Sequence, residues 1–198
     1  MSVSSMIFLA VVVLLAFYLI SIFNNLVSLR NRYKNAFAQI EVQLKRRYDL
    51  IPNLVEVAKG YMAHERETLD AVISARNAAV AGLKAAAAQP GDAQSMAQLG
   101  TGENQLNAAM GRLNVTVEAY PDLKASANMQ QLSEELSSTE NKLAFARQAY
   151  NDAVMAYNTF KQSFPPVLFA ATFGHGPDAG MLEFADSAAI QEAPKVSF

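Results

Sequence analysis

Apolar residues fill one stretch of this chain without a break and then thin into spaced stripes. From Met6 to Phe23 it reads MIFLAVVVLLAFYLISIF, eighteen residues with no charge, no proline and no glycine. As a helix that stretch would rise about 27 Å, close to the roughly 30 Å hydrocarbon core of a bilayer, so it predicts a membrane span. Beyond it Val27, Phe37, Ile40, Leu44, Tyr48 and Ile51 keep three-and-four spacing. A helix is therefore expected to continue, one face on a partner and the Arg and Lys side wet. No proline or glycine precedes Pro52, and a rod from Met6 to Leu50 would be about 67 Å long. Pro52 predicts a kink or restart between Asp49 and Pro52, because proline disfavours helical backbone in the residue before it.

Leu54, Val57, Tyr61, Ala71, Val72, Ala75, Ala79 and Leu83 carry a second stripe toward Gln89. Gln89-Pro90-Gly91-Asp92 then reads as a turn, with Asp92 placed to cap the next helix. A third stripe runs through Met96, Leu99, Leu106, Met110, Leu113 and Val117 to the break at Tyr120-Pro121-Asp122. A fourth, heptad-like, starts near Ser126 to Asn128 and takes in Met129, Leu132, Leu136, Leu143, Ala146, Tyr150, Tyr157 and Phe164. No useful strand alternation separates them. The expected fold is all-α: a transmembrane helix continuing into an elongated antiparallel four-helix bundle, with an irregular C-terminal tail. The expected divisions are 1–5 as an extracytoplasmic end, 6–23 as the span, 24–163 as the bundle and 164–198 as an apolar tail packed on the bundle or a neighbour.

Two segments leave alternatives open. The alanine-rich stretch from Ala71 to Ala88 reads as a rod completed by another subunit, or simply as a good helix former at an exposed end. The tail brings Pro165, Pro166, Gly174, Gly176, Pro177 and Gly180, yet it keeps Val167, Leu168, Phe169, Phe173, Met181, Leu182, Phe184, Val196 and Phe198. A disordered segment would be poorer in such residues. The run VLFAATF must be covered by the bundle groove, a neighbouring subunit or the membrane, and Val167, Leu168, Phe169 and Phe173 are its candidate oligomer contacts.

Charge sharpens the picture. The net charge of -2 conceals seven Lys or Arg against three Asp or Glu between Asn24 and Lys59, and nine against fifteen from Gly60 onward. Arg30, Arg32 and Lys34 follow the apolar run and no basic residue precedes it, which predicts an uncleaved span with its N-terminus out and its body in the cytoplasm. Those three are candidate contacts to anionic headgroups, each contributing about 1 kcal/mol at the surface. Lys45, Arg46 and Arg47 lie about 33 Å beyond Phe23 and read as a solvated face, with Glu41 and Lys45 as a favourable i,i+4 pair. An acidic body argues against nucleic acid. The absence of cysteine does not choose a compartment.

Candidate chemistry is sparse. His64-Glu65 lacks a second histidine four residues on, where Thr68 stands, and Gly100-Thr101-Gly102-Glu103 has neither the Lys-Ser/Thr nor the preceding strand of a phosphate loop. His64 reads as a helix-surface or interhelix hydrogen-bonding residue. Glu134-Glu135 and the Glu65, Glu67 pair point apart on a helix, and nothing resembles a strained serine elbow. No cofactor, metal or small-molecule substrate is called for, and the architecture points to interaction, not reaction.

The block QLKRRYDLIPNLVEVAKGY from Gln43 to Tyr61, followed by His64-Glu65, resembles the LemA family of bacterial membrane proteins. TENKLAFARQAYN at Thr139 to Asn151, AYNTFKQSFP at Ala156 to Pro165 and the final APKVSF extend the likeness over nearly the whole chain. One departure is Phe173-Gly174-His175, where the pattern leads one to expect an aromatic at the third place. The resemblance implies a single-pass bacterial inner-membrane protein with a cytoplasmic helical bundle and no established enzymatic activity. Lys45, Arg46, Arg47, Asp49, Pro52, Asn53, Tyr61, His64 and Glu65 match the family block without an implied role. They form either a paired polar network between helices or a docking surface.

Three functions compete. The first is a non-catalytic scaffold that self-associates, its partners being the bilayer and other copies of the chain. An adaptor that recruits a cytoplasmic protein or membrane protease through Lys45 to Tyr61 is the alternative. An enzyme of unrecognised type comes last, because no triad, metal set or phosphate cradle can be assembled. The end Val196-Ser197-Phe198 could enter a pocket that captures C-terminal carboxylates.

Overall fold

The computed structural model describes residues 2–184, so the Val196-Ser197-Phe198 end and the APKVSF motif lie outside the described residues. The chain folds as helices α1 (Val3–Lys59), α2 (Arg66–Ala88), α3 (Ala93–Val117), α4 (Pro121–Lys124) and α5 (Ala127–Gln162), then a 3-10 turn at Pro166–Leu168. No strand occurs among the described residues.

Helix α1 is one unbroken element of 57 residues, about 85 Å at 1.5 Å per residue. Its first part is exposed and apolar, long and hydrophobic enough to cross a membrane. Burial begins at Ile22 and Leu26 and follows the expected stripe through Phe37, Ile40, Leu44, Tyr48 and Ile51. The break expected at Pro52 is absent. Proline removes the N–H that would bind the carbonyl four residues back, here that of Tyr48. Arg76 Nε of α2 supplies the missing donor at 3.0 Å. The helix instead ends at Gly60, and the connection to α2 occupies residues 60–65.

Helices α1 and α5 run antiparallel along most of their shared length. Tyr33 meets Tyr157 at 5.3 Å and Tyr150 at 6.4 Å between ring centroids, and Phe37 meets Tyr150 at 5.8 Å, all edge-on. Such pairs each contribute about 0.5–1.5 kcal/mol beyond area burial. The heptad-like series of α5 holds as far as Tyr157, but Phe164 lies past the helix end and is exposed.

Helices α2 and α3 form a tighter pair. A Cβ on Gly82 would lie 3.2 Å from Leu99 Cα, and one on Gly102 only 3.1 Å from Ala79 Cα, so small residues set the spacing. The alanine-rich stretch is thus packed within the chain: Ala79 and Ala86 are fully buried. Alanine's small bulk on this face is what admits α3, while Ala71, Ala78, Ala81 and Ala88 face outward. Asp92 caps α3 as expected, accepting from the N–H and the hydroxyl of Ser95, each at 2.8 Å. Gly91 turns the chain at φ 91°, a left-handed conformation, with its α-carbon against the Tyr33 ring.

Past the 3-10 turn the chain doubles back as an extended strap lying between α3 and α5. Asn158 donates to the carbonyl of Ala179 and accepts from its N–H, both at 2.9 Å. Two helical turns away, Asn151 treats Leu182 in the same manner at 3.1 and 2.9 Å. Tyr150 Oη donates to Gly180 O at 2.7 Å, and a Cβ on Gly100 would meet Glu183 O at 2.5 Å.

Candidate functional site

The sequence places Arg47 on the face of α1 expected to be wet, and the structure buries it. Arg47 is 2% exposed and Glu103 of α3 is fully buried. Arg47 Nη1 donates to Glu103 Oε2 at 2.7 Å, while Nη2 donates to Asn107 Oδ1 at 2.6 Å and to Glu140 Oε1 of α5 at 3.1 Å. The Tyr48 hydroxyl donates to the other Glu103 oxygen. One guanidinium therefore ties three helices, and its planar fork suits the task. Burial pushes the Glu103 carboxyl above its ordinary value, opposed by the Arg47 charge and the two donors. Burial and the Glu103 charge push the Tyr48 hydroxyl up, so it remains a donor.

Both ends of this cluster had a readable signal. Arg47 lies seven residues after Ile40 and three after Leu44, and Glu103 four after Leu99 and three before Leu106, so each occupies a position of an apolar stripe. A charge on a buried stripe requires a counter-charge on the facing helix. Which helix faces it is not written in the local sequence.

A cleft of about 280 Å³ opens beside the cluster, lined by Arg47, Asn107, Asn114, Glu140, Arg147 and Phe184 among others. Arg147 stacks over Phe184 at 4.6 Å from the ring centroid, so the strap closes one wall. The cleft presents amides and paired charges without a nucleophile. Among the described residues no group of three or more His, Cys, Asp or Glu is arranged to hold a metal ion.

The other residues of the family block separate from Arg47. Lys45 is exposed and bonds Glu41 at 2.6 Å, the expected i,i+4 pair. Arg46 is exposed and reaches Glu135 of α5 at 3.7 Å. Asp49, Asn53, Tyr61 and His64 are all exposed, and Glu65 accepts a 3.3 Å bond from Tyr120 Oη. The polar network therefore runs through Arg47 and Tyr48 and leaves out Asn53, Tyr61 and His64. Those three lie exposed on the outer surface of α1's last turns and the following connection; His64 sits in that connection, not on a helix.

At the opposite end Arg30, Arg32 and Lys34 are exposed on α1 just past the apolar run. Phe173 sets its ring edge-on against Phe23 at 5.5 Å, and Phe169 stacks on Phe173 at 6.2 Å. Val167 and Leu168 remain exposed at 49% and 62%. The departure from the family pattern, His175, is buried at 3% and lies tilted against Tyr157, whose hydroxyl is 2.9 Å from Nδ1. It fills the aromatic's place with a ring that also bonds. Burial and the charges of Arg30 and Lys161 hold His175 below its ordinary pKa.

Protein LemA of Metamycoplasma hominis is 28% identical over 136 residues, covering 69% of this chain and 58% of that protein. Magnetosome proteins MamQ 1 and MamQ 2 of Paramagnetospirillum magneticum are each 25% identical over 151 residues, covering 69% of this chain and 56% of theirs. The chain thus spans a little under three fifths of the length of these relatives. The sequence pattern of the LemA family matches residues 36–198, from the neck of α1 through the strap and beyond, and the chain belongs to the LemA family.

Proposed function

We propose that the protein is a non-catalytic, membrane-anchored helical scaffold that self-associates at the bacterial inner membrane. In this reading it crosses once, its N-terminus outside and its helices gathered as one elongated antiparallel bundle in the cytoplasm. The observation that carries it is the continuity of α1: the apolar span and the packed neck are one helix, so the body cannot swivel on a linker. A rigid body held at a fixed angle to a membrane suits assembly with like copies. Val42, Phe145 and Met155, exposed on α1 and α5, are apolar residues that such contacts would cover. The full chain solubilised in mild detergent is expected to give a defined oligomeric mass. A strictly monomeric mass at micromolar concentration removes the proposal.

An adaptor role is the second reading, favoured by a cleft of about 260 Å³ between α1 and α2. Lys45, Asp49 and Lys84 edge it and Val80, Leu83 and Ala87 floor it. Its test uses the exposed pair Lys45→Glu with Arg46→Glu, because reversing the buried Arg47 would unfold the body. An isolated cytoplasmic partner should lose affinity for that variant at unchanged melting temperature. Unchanged affinity rejects this reading.

A further inference from the structure

We propose that the loop of residues 164–173 is a second membrane contact, a short apolar wedge seated at the headgroup and acyl boundary beside the spanning helix. The inference rests on the reading of α1's apolar part as a span. Its level in the bilayer follows from the ring contact between Phe173 and Phe23. Phe23 closes the apolar run, and Asn24 and Asn25 come next, so this contact sits where hydrocarbon gives way to headgroups. Residues of α1 before Leu19 are all exposed, and burial by the body starts at Ile22. The top of the body therefore meets the surface with no spacer.

What it presents there is apolar. Phe164 is 79% exposed, and Val167 and Leu168 project beside it. From Ser163 to Gly174 the chain carries no charge. The anchoring side is the inward one: Pro166 and Ala170 are buried, Phe169 stacks on Phe173, and the His175 N–H bonds Ala170 O at 2.8 Å. The loop is thus held while its outer side chains, Phe164, Val167 and Leu168, are exposed among the described residues. Arg30, Arg32 and Lys34 stand seven to eleven residues below Phe23, about 10–16 Å along the helix, within reach of anionic headgroups. Of the carboxylates that share a cleft with Arg30 and Lys34, Asp178 is paired with Lys161 and Asp92 is engaged in capping α3.

Lipid is the occupant this geometry favours over a second copy. The patch continues the surface of the span, and a wedge there buries its side chains about 5–10 Å deep without any partner. Two contacts, the span and the wedge, would fix the tilt and rotation of the body.

The chain has no tryptophan, which makes the test direct. Leu168→Trp gives a single-tryptophan full-length protein, and Val167→Trp a second in case the first disturbs the loop. Each is reconstituted in phosphatidylcholine vesicles brominated either near the headgroup or near the chain end. Phe8→Trp in the span and Phe145→Trp on the outer face of α5 serve as references. Leu168→Trp emission should shift to the blue and be quenched more by lipid brominated near the headgroup, while Phe145→Trp stays unquenched. If Phe8→Trp is quenched and neither loop tryptophan is, the wedge is rejected. A blue-shifted but unquenched loop tryptophan assigns the patch to a second copy and rejects it too. Failure to quench Phe8→Trp overturns the span itself, a result distinguishable from failure of the loop alone.

Discussion

The half of the body far from the span and the half next to it join α3 to α5 by different means. In the far half, at the level of Arg47, three helices meet through charged side chains: one guanidinium reaches Glu103, Asn107 and Glu140. In the near half the strap of residues 179–184 lies between α3 and α5, held by Asn151, Asn158 and Tyr150, while α1 and α5 mesh through aromatic edges. The far half needs every partner, because an unpaired charge in a low-dielectric interior is penalised in full. The near half spreads its stability over amide bonds and ring contacts of modest individual size. The contrast predicts a register-setting lock in one half and a graded, locally loosening closure in the other.

The sharpest test strikes the lock. Arg47→Met leaves Glu103 buried without its counter-charge and should cost about 3–5 kcal/mol in urea unfolding of the full chain in detergent. Adding Glu103→Leu should recover most of that loss, since a paired apolar replacement leaves no charge stranded. A harmless single substitution would abolish the distinction between the halves.

The same half contains the repaired proline. Arg76→Leu removes the donor to the Tyr48 carbonyl and should cost about 1–3 kcal/mol. Pro52→Ala in that background restores a backbone N–H for the same carbonyl, so the double variant should be more stable than Arg76→Leu alone. Additive losses would show that Arg76 acts elsewhere.

In the near half, Asn158→Ala should cost about 1–2 kcal/mol by unpairing both backbone groups of Ala179. Amide exchange is expected to rise through the strap and leave the Arg47 level unchanged. Exchange rising equally in both halves would mean that they unfold as one unit.

The smallest effect is a pH dependence at His175. Its folded pKa lies below the unfolded value near 6.5, so the unfolded chain binds the proton more readily. This contribution is complete above the unfolded value, falls as pH drops through it, and levels off below the folded one. Arg30 of α1 and Lys161 of α5 disfavour the imidazolium, Asp178 is paired with Lys161, and Tyr157 bonds Nδ1. Melting temperature should decline from pH 7.5 to 5, and His175→Phe should flatten that slope. An unchanged slope would assign the decline to another group.

Much of the helical scheme was legible residue by residue because its causes are local. The α1 stripe from Phe37 to Ile51, the turn at Pro90 and Gly91, the Asp92 cap and the Glu41 to Lys45 pair each depend on neighbours within a turn or two. The candidate site was legible only in part. Local spacing leaves Arg47 between a wet face and a paired network shared with Asn53, Tyr61 and His64; Arg47 is buried and networked, whereas those three face outward.

The sequence by itself determined that the chain is helical, most of its apolar stripes, the apolar run that opens α1 and the basic charge that follows it. Tertiary structure decided what happens to Pro52, to Arg47 and to the alanines of α2. Each outcome depends on a group far along the chain: a donor on Arg76, a carboxylate on Glu103, a glycine at position 102. Helix periodicity is a property of adjacent residues, whereas burial of a polar or small group is settled by the partner that packing brings to it.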